Sequence, residues 1–443
     1  MRGLAFALVV CMSAALGAAA QEFTTLKGHG GPVMGVAHDD ARGQVATASF
    51  DNSVGLWRGR EPRWLEGHGA AVNTVIFLGP GRAASGGDDF AVILWDLDSG
   101  AATRRDGHEG KVAALARSRD GALLASASWD GSIGLWPLTD AAGAAAPRFL
   151  KGHDAGVNAV AFGARGSRLY SASADGTIRI WNTEDGSNRI LANHGFGVNR
   201  FILGPDDGWL AYGAVDGVTR VIDPESGAQI ADFSLDRRPI LSMAHHAPSA
   251  QLAVGDGHGF IMMIDSAQWR ITRDFRAMRR GPVWALAFAD NGASILAGGL
   301  DDVVYSWPVA MLDAFDPAGG EQRSFLRDPD TMPNGERQFM RKCSVCHALT
   351  PPPSRKAGPT LYAVFGRKAG ALPGYPYSDT LAGADITWTD DTIDALFDIG
   401  PDHFIPGSKM PMQRITDPSD RDDLVAFLRK ATAPDSTSPQ KEN

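Results

Sequence analysis

The sequence predicts an all-β repeat domain over roughly its first three hundred residues, followed by a smaller domain of different construction. Three observations carry this reading. The chain holds 52 glycines and 11 tryptophans, a balance that suits tight turns between short strands rather than long helices. A Gly-His, Asp, Trp pattern recurs with a period of about 40 to 45 residues. The pattern then stops, and a Cys-x-x-Cys-His run follows it.

Composition narrows the function. At 443 residues and 44% hydrophobic content, the chain can build two or three full cores, and disorder as its main state is excluded. Acids outnumber bases 51 to 42, which weighs against a nucleic-acid binder led by a basic face. Three cysteines cannot make a disulfide scaffold.

In chain order, residues 1–20 read as a secretory signal peptide: Arg2, an apolar run over 4–16, then Ala18, Ala19 and Ala20 before Gln21. The run is too short to span a bilayer comfortably. Val10 is too large for a lipoprotein site at Cys11, so Cys11 leaves with the leader. The expectation is an exported, periplasmic chain without an integral membrane span, retaining Cys343 and Cys346.

Gly28-His29, Gly67-His68, Gly107-His108 and Gly152-His153 each open a unit that ends in Trp57, Trp95, Trp136 or Trp181. Six residues before each Trp stands Asp51, Asp89, Asp130 or Asp175. Later units are worn: Asn193-His194 replaces Gly-His, and Asp216 precedes Ile222 instead of Trp. A sixth unit runs over 240–265 with Gly257-His258 at its turn, and a seventh over 282–307 with Asp301 before Trp307. These units resemble the WD40 repeat family over residues 21–314. The resemblance implies a seven-bladed β-propeller whose segment 23–26 pairs with the last blade and closes the ring, removing free sheet edges. It also implies that His29, His68, His108 and His153 join their Asp and Trp, with Thr47, Ser85, Ser126 and Ser171, in buried structural networks rather than metal or catalytic sites. His38, His194, His245, His246 and His258 stay unassigned; neighbours such as His245 and His246 point to opposite faces of a strand. HExxH and a phosphate-binding glycine loop are both absent.

Residues 315–332 lose the repeat and read as a linker. Beyond it, Cys343-Ser344-Val345-Cys346-His347 is a c-type haem attachment signature. Two thiols three residues apart on a helical turn can each bond a haem vinyl group, and the adjacent imidazole falls beneath the iron. A redox dithiol would want a βαβ setting, and no second CxxC exists for zinc.

Further motifs follow in order: Gly335 and Phe339, Gly358-Pro359-Thr360-Leu361, Phe365-Gly366-Arg367-Lys368, Tyr375-Pro376-Tyr377-Ser378, Ile386-Thr387-Trp388, and Pro406-Gly407-Ser408-Lys409-Met410. Together these resemble the class I cytochromes c over 333–431, with 432–443 as a disordered tail. The whole chain is thus expected to be an all-β seven-bladed WD40-type propeller followed by a small all-α class I cytochrome c domain.

That resemblance implies one covalently attached haem c. Cys343 and Cys346 attach it, His347 and Met410 ligate its iron, and Pro359, Tyr377 and Trp388 line its pocket. The Pro359 carbonyl orients His347, and Trp388 contacts a propionate. Met412 and His403 stay open as competing ligands. In the family the last helix, here 421–430, packs Leu424, Phe427 and Leu428 on the first. Phe397 stands near a position where the family often has a tyrosine, with one extra residue at Gly400-Pro401. The basic ring is thin, with Lys342, Lys368, Lys409 and Arg414 beside Asp398 and Asp402.

A closed His/Met iron favours electron transfer, with a redox partner protein, or a protein docked on the propeller, as the implied partner. Two other readings stay open: a periplasmic oxidoreductase whose propeller carries a second redox or substrate site, and a haem-based ligand sensor.

Overall fold

The computed structural model describes residues 23–138, 146–164, 167–234, 239–278, 281–312, 331–408, 410 and 413–434. The expected leader, most of the linker and most of the tail lie outside these residues, as do Lys409 and Met412.

Residues 24–308 form seven antiparallel sheets of four strands each. The first is built from Val33–Asp39, Gln44–Ser49, Ser53–Arg58 and Glu61–Glu66 in sequence order. The last breaks that order: Thr24–Lys27 pairs with Val303–Pro308, in register from Thr24 opposite Ser306 to Lys27 opposite Val303. The start of the chain therefore supplies the outer strand of the seventh blade, so that this pairing ties the two ends of the ring together, while each blade keeps short edges of its own.

Why seven separate sheets pack as one body follows from two recurring positions. Each innermost strand begins with a fully buried β-branched residue: Val33, Val72, Val112, Val157, Val198, Ile240 or Val283. The second strand of each blade carries only Ala or Gly at a matching place: Ala48, Gly86, Ala127, Ala172, Gly213, Gly255 or Gly298. A side chain added at Gly86 would overlap Val112, and one at Gly213 would overlap Ile240. Small residues let neighbouring blades approach, and the branched residue of the next blade fills the gap. The register also shifts by one residue at the start of every innermost strand, as between Val112 and Ala114. Such bulges sharpen the strand's twist, here at the same end of every blade.

The second domain is helical. α1 (Asn334–Lys342) crosses α5 (Pro418–Ala431), with α2 (Asp379–Ala382), α3 (Asp390–Ile399) and α4 (Pro401–Phe404) between them in sequence. Gly335 allows the crossing, because a Cβ there would overlap the Asp423 carbonyl. Phe339 and Phe427 stack beside it at 5.6 Å between centroids, over buried Leu424 and Leu428. α3 starts in a capping box between Thr389 and Thr392. It stops at Gly400, whose φ of 97° turns the chain directly into Pro401 of α4. The additional residue at Gly400-Pro401 is thus the joint between two helices, and Phe397 is buried in the core beside it.

Candidate functional site

The repeated His, Asp and Trp residues come first, because they invite a catalytic reading. His108 Nδ1–H donates to Asp130 at 2.8 Å, and its Nε2 meets the Ser126 hydroxyl at 2.7 Å. Trp136 donates its indole N–H to that same hydroxyl at 2.7 Å. The sets around His29, His68 and His153 repeat this arrangement with Thr47, Ser85 and Ser171. Every ring nitrogen has a partner inside the blade, so these histidines offer nothing to a ligand. In the worn fifth blade His194 still meets Asp216 at 3.0 Å, but the hydroxyl comes from Tyr212, at 3.3 Å. Among the described residues no group of three His, Cys, Asp or Glu side chains could hold a metal ion. His245 packs on Trp209 and His246 on Phe288, on separate surfaces.

The helical domain differs, because its buried groups converge on a cavity. α1 ends in a turn in which the Cys346 and His347 amides both donate to the Cys343 carbonyl, at 3.0 and 2.8 Å. That turn presents Cys343, Cys346 and His347 to one side. His347 Nδ1–H donates to the Pro359 carbonyl at 2.7 Å, which fixes the tautomer and leaves the Nε2 lone pair free. Gly358 is needed there, since a Cβ would overlap the imidazole. Burial keeps His347 in its neutral form and pushes the Cys343 thiol up to about 12, with Cys346 raised in the same direction.

A cavity of about 1060 Å³ opens from this turn. Cys343, Cys346, His347, Pro359, Tyr377, Trp388 and Met410 all line it, so the fold brings together every residue singled out from the sequence. Met410 packs on the apolar core, and its backbone N–H donates to Ser408 Oγ at 3.1 Å. The competing imidazole is elsewhere: the His403 side chain is 70% exposed and meets Asp402. Met412 lies outside the described residues.

Two polar residues that sequence reasoning left without a role, Tyr375 and Arg367, belong to the same wall, with Thr360 buried behind them. Tyr375 donates its hydroxyl to the Ala357 carbonyl at 2.5 Å, and burial pushes that hydroxyl up to about 12. Arg367 donates to the carbonyls of Tyr362 and Thr360, at 3.0 and 2.7 Å, and among the described residues pairs with no carboxylate. Thr360 in turn donates to the Thr350 carbonyl at 2.6 Å. The signal for Arg367 was present: it sits beside Lys368, yet Lys368 pairs with Asp385 at the surface while Arg367 turns inward.

This donor set fits a haem. The cavity is mainly apolar, two thiols and a free imidazole nitrogen lie at one end, a thioether lines another wall, and a partly buried arginine is free to face a carboxylate. Its mouth is bounded by propeller residues, among them Phe90, Lys111 and Trp129.

Comparison with known families agrees with both halves. The model "WD domain, G-beta repeat" matches residues 20–58, 59–96, 102–137, 146–182 and 270–308, leaving the fifth and most of the sixth blade unmatched. The model "Cytochrome c" matches residues 333–432. Cytochrome c of Sesamum indicum is 37% identical over 107 residues, which is 24% of this chain and 94% of that protein. Cytochrome c of Arabidopsis thaliana is 39% identical over 98 residues, 22% of this chain and 87% of that protein. Cytochrome c of Cochliobolus lunatus is 38% identical over 98 residues, 22% and 90% respectively.

Proposed function

Because the chain belongs to the cytochrome c family through residues 333–432 and carries WD40 repeats before them, we propose that it is an exported electron carrier with one covalent haem. Cys343 and Cys346 attach the haem, and His347 and Met410 ligate its iron. The propeller is the platform through which the carrier meets other proteins. The observation that carries this reading is the convergence of His347, its tautomer fixed by Pro359, with both thiols and Met410 on one cavity.

When bound, the haem supplies a one-electron couple, and His/Met ligation sets that couple higher than two histidines would. The protein's own groups do the rest. Pro359 holds the imidazole N–H so that Nε2 stays the donor. Apolar side chains around Phe397 and Leu428 keep water from the pocket and disfavour the extra charge of the oxidised state. Arg367, Tyr377 and Trp388 are placed to hold the carboxylate edge. Ligation by both His347 and Met410 would leave the iron no open site for a substrate. The leader at 1–20 supports export, which places attachment outside the cytoplasm. Among the described residues no helix is long and apolar enough to cross a membrane.

Replacing the thioether tests the ligand set. Met410→Ala should lower the haem potential and let the reduced protein bind carbon monoxide. If the potential and ligand binding stay at wild-type values, Met410 is not the ligand. Met412 would then be the next residue to replace, since His403 faces solvent.

A further inference from the structure

The cavity that gathers the haem-site residues does not end at the helical domain. Its lining continues into the top-face loops of the first three blades: Phe50, Asp88, Phe90, Lys111 and Trp129. Direct contacts hold the two domains in this relation. Arg355 pairs with Glu66 at 3.1 Å and stacks on Trp64, 4.2 Å from the ring centre. Its backbone carbonyl sits where a Cβ on Gly30 would be, so only glycine fits there.

Phe90 carries the strongest signal. It follows Asp89 in the turn between the second and third strands of its blade, with φ of 64°. The matching turn position in five other blades is Asn52, Gly131, Gly176, Gly217 and Gly259, all with positive φ, and in the seventh it is Asp302. Glycine and asparagine adopt that conformation cheaply, whereas a bulky side chain there is a true outlier, and such strain gathers at functional sites. The strain has no folding purpose, since the side chain is 45% exposed rather than packed in the blade. Trp129 is 55% exposed yet fixed: its indole N–H donates to Asn158 at 3.0 Å, and its ring lies against Gly156. Lys111 rests over that ring, with Nζ 3.4 Å from the centroid, and lies within the field of Asp88 on the same cavity wall. A strained phenylalanine, a pinned tryptophan and a lysine therefore share one wall of the cavity.

We propose that the haem site extends across the domain boundary, with the loops of the first three blades as its outer wall. Phe90 and Trp129 cover the haem edge at the mouth, and Lys111 sets a fixed positive charge beside it. The propeller is then part of the redox centre, and this face is occupied by the chain's own haem domain rather than by an outside protein. A docking partner must use the remaining rim or the opposite face. This inference rests on the haem assignment above.

The test uses the full-length holo-protein. Phe90→Gly installs the residue that other blades already use, so the propeller should fold and resist denaturant better than wild type. The same variant should be reduced severalfold faster by a small neutral quinol, because the mouth is less covered. Trp129→Ala should also speed reduction. Lys111→Met should lower the potential, and Lys111→Glu should lower it further, because removing a positive charge favours Fe(III). If all four variants keep the wild-type potential and quinol rate while the haem spectrum is intact, the propeller is not a wall of the site and the proposal is overturned. If wild-type protein carries no covalent haem, the electron-carrier reading fails instead, and the two failures are distinct.

Discussion

In each of the four strong blades one hydroxyl accepts from a tryptophan indole and meets a histidine whose other nitrogen faces an aspartate. Removing the hydroxyl strands two buried groups at once, so Ser126→Ala should cost about 2–4 kcal/mol in denaturant unfolding of the propeller. The aspartates add a pH dependence. Burial would raise Asp130, but hydrogen bonds from Ser132, the Glu109 amide and His108 outweigh it and hold the carboxyl at about 2. Asp175 stands at about 2 for the same reason, with Thr177 in place of Ser132. An unfolded aspartate titrates near about 3.9. The folded carboxyls are depressed, so their contribution is complete above about pH 4 and disappears as pH falls toward about 2. Burial also lowers His108 and His153, so the unfolded imidazoles take up protons first and stability begins to fall below about pH 6.5, before the aspartates contribute. Denaturant midpoints measured against pH should therefore fall steeply below about pH 4; a flat profile would contradict this electrostatic account. The spacing of Gly-His, Asp and Trp made these networks legible in the sequence. Tyr212 was not legible as the substitute hydroxyl in the fifth blade, because it reaches His194 through a larger side chain from a position where the four strong blades carry Ser or Thr.

Between strands and helices, the decisive contacts are close approaches of backbone to backbone. Gly213→Val would drive side-chain atoms into Ile240 of the next blade and should cost about 1–3 kcal/mol, seen as a lower propeller melting temperature. In the helical domain Leu424→Ala opens a void where α5 meets α1 and should cost about 2–5 kcal/mol, read from loss of the haem-region circular dichroism. A change in neither melt would mean that these interfaces relax without strain. The α1 to α5 pairing was visible in sequence through the resemblance to class I cytochromes c, carried by Gly335, Phe339, Leu424, Phe427 and Leu428. The ring of Ala and Gly between blades was not, because each small residue answers to a neighbour in the next blade, as Gly86 does to Val112 and Gly298 does to Val33 across the closure of the ring. The bulge at the start of every innermost strand escaped for a related reason: it is a property of pairing, and alternation along one strand does not reveal it.

Across the molecule, motif order disclosed two domains and the cavity residues from Cys343 to Met410, but not their mutual placement. That placement depends on contacts such as Arg355 with Glu66 and Trp64, which no local pattern announces. One clue was present. Aligning the repeats on their aspartates sets Phe90 against Asn52, Gly131, Gly176, Gly217 and Asp302, so a large aromatic at that place is a departure the sequence already carried.

The central claim is a single, closed His347/Met410 haem. The most direct measurement is an optical spectrum of the purified mature protein, oxidised and reduced, with and without carbon monoxide. The account predicts a low-spin spectrum, a weak sulfur-to-iron band in the oxidised form, no shift with carbon monoxide and no second chromophore. A carbon monoxide shift, or absorbance that one haem cannot supply, would contradict it and point to an open iron or a second cofactor.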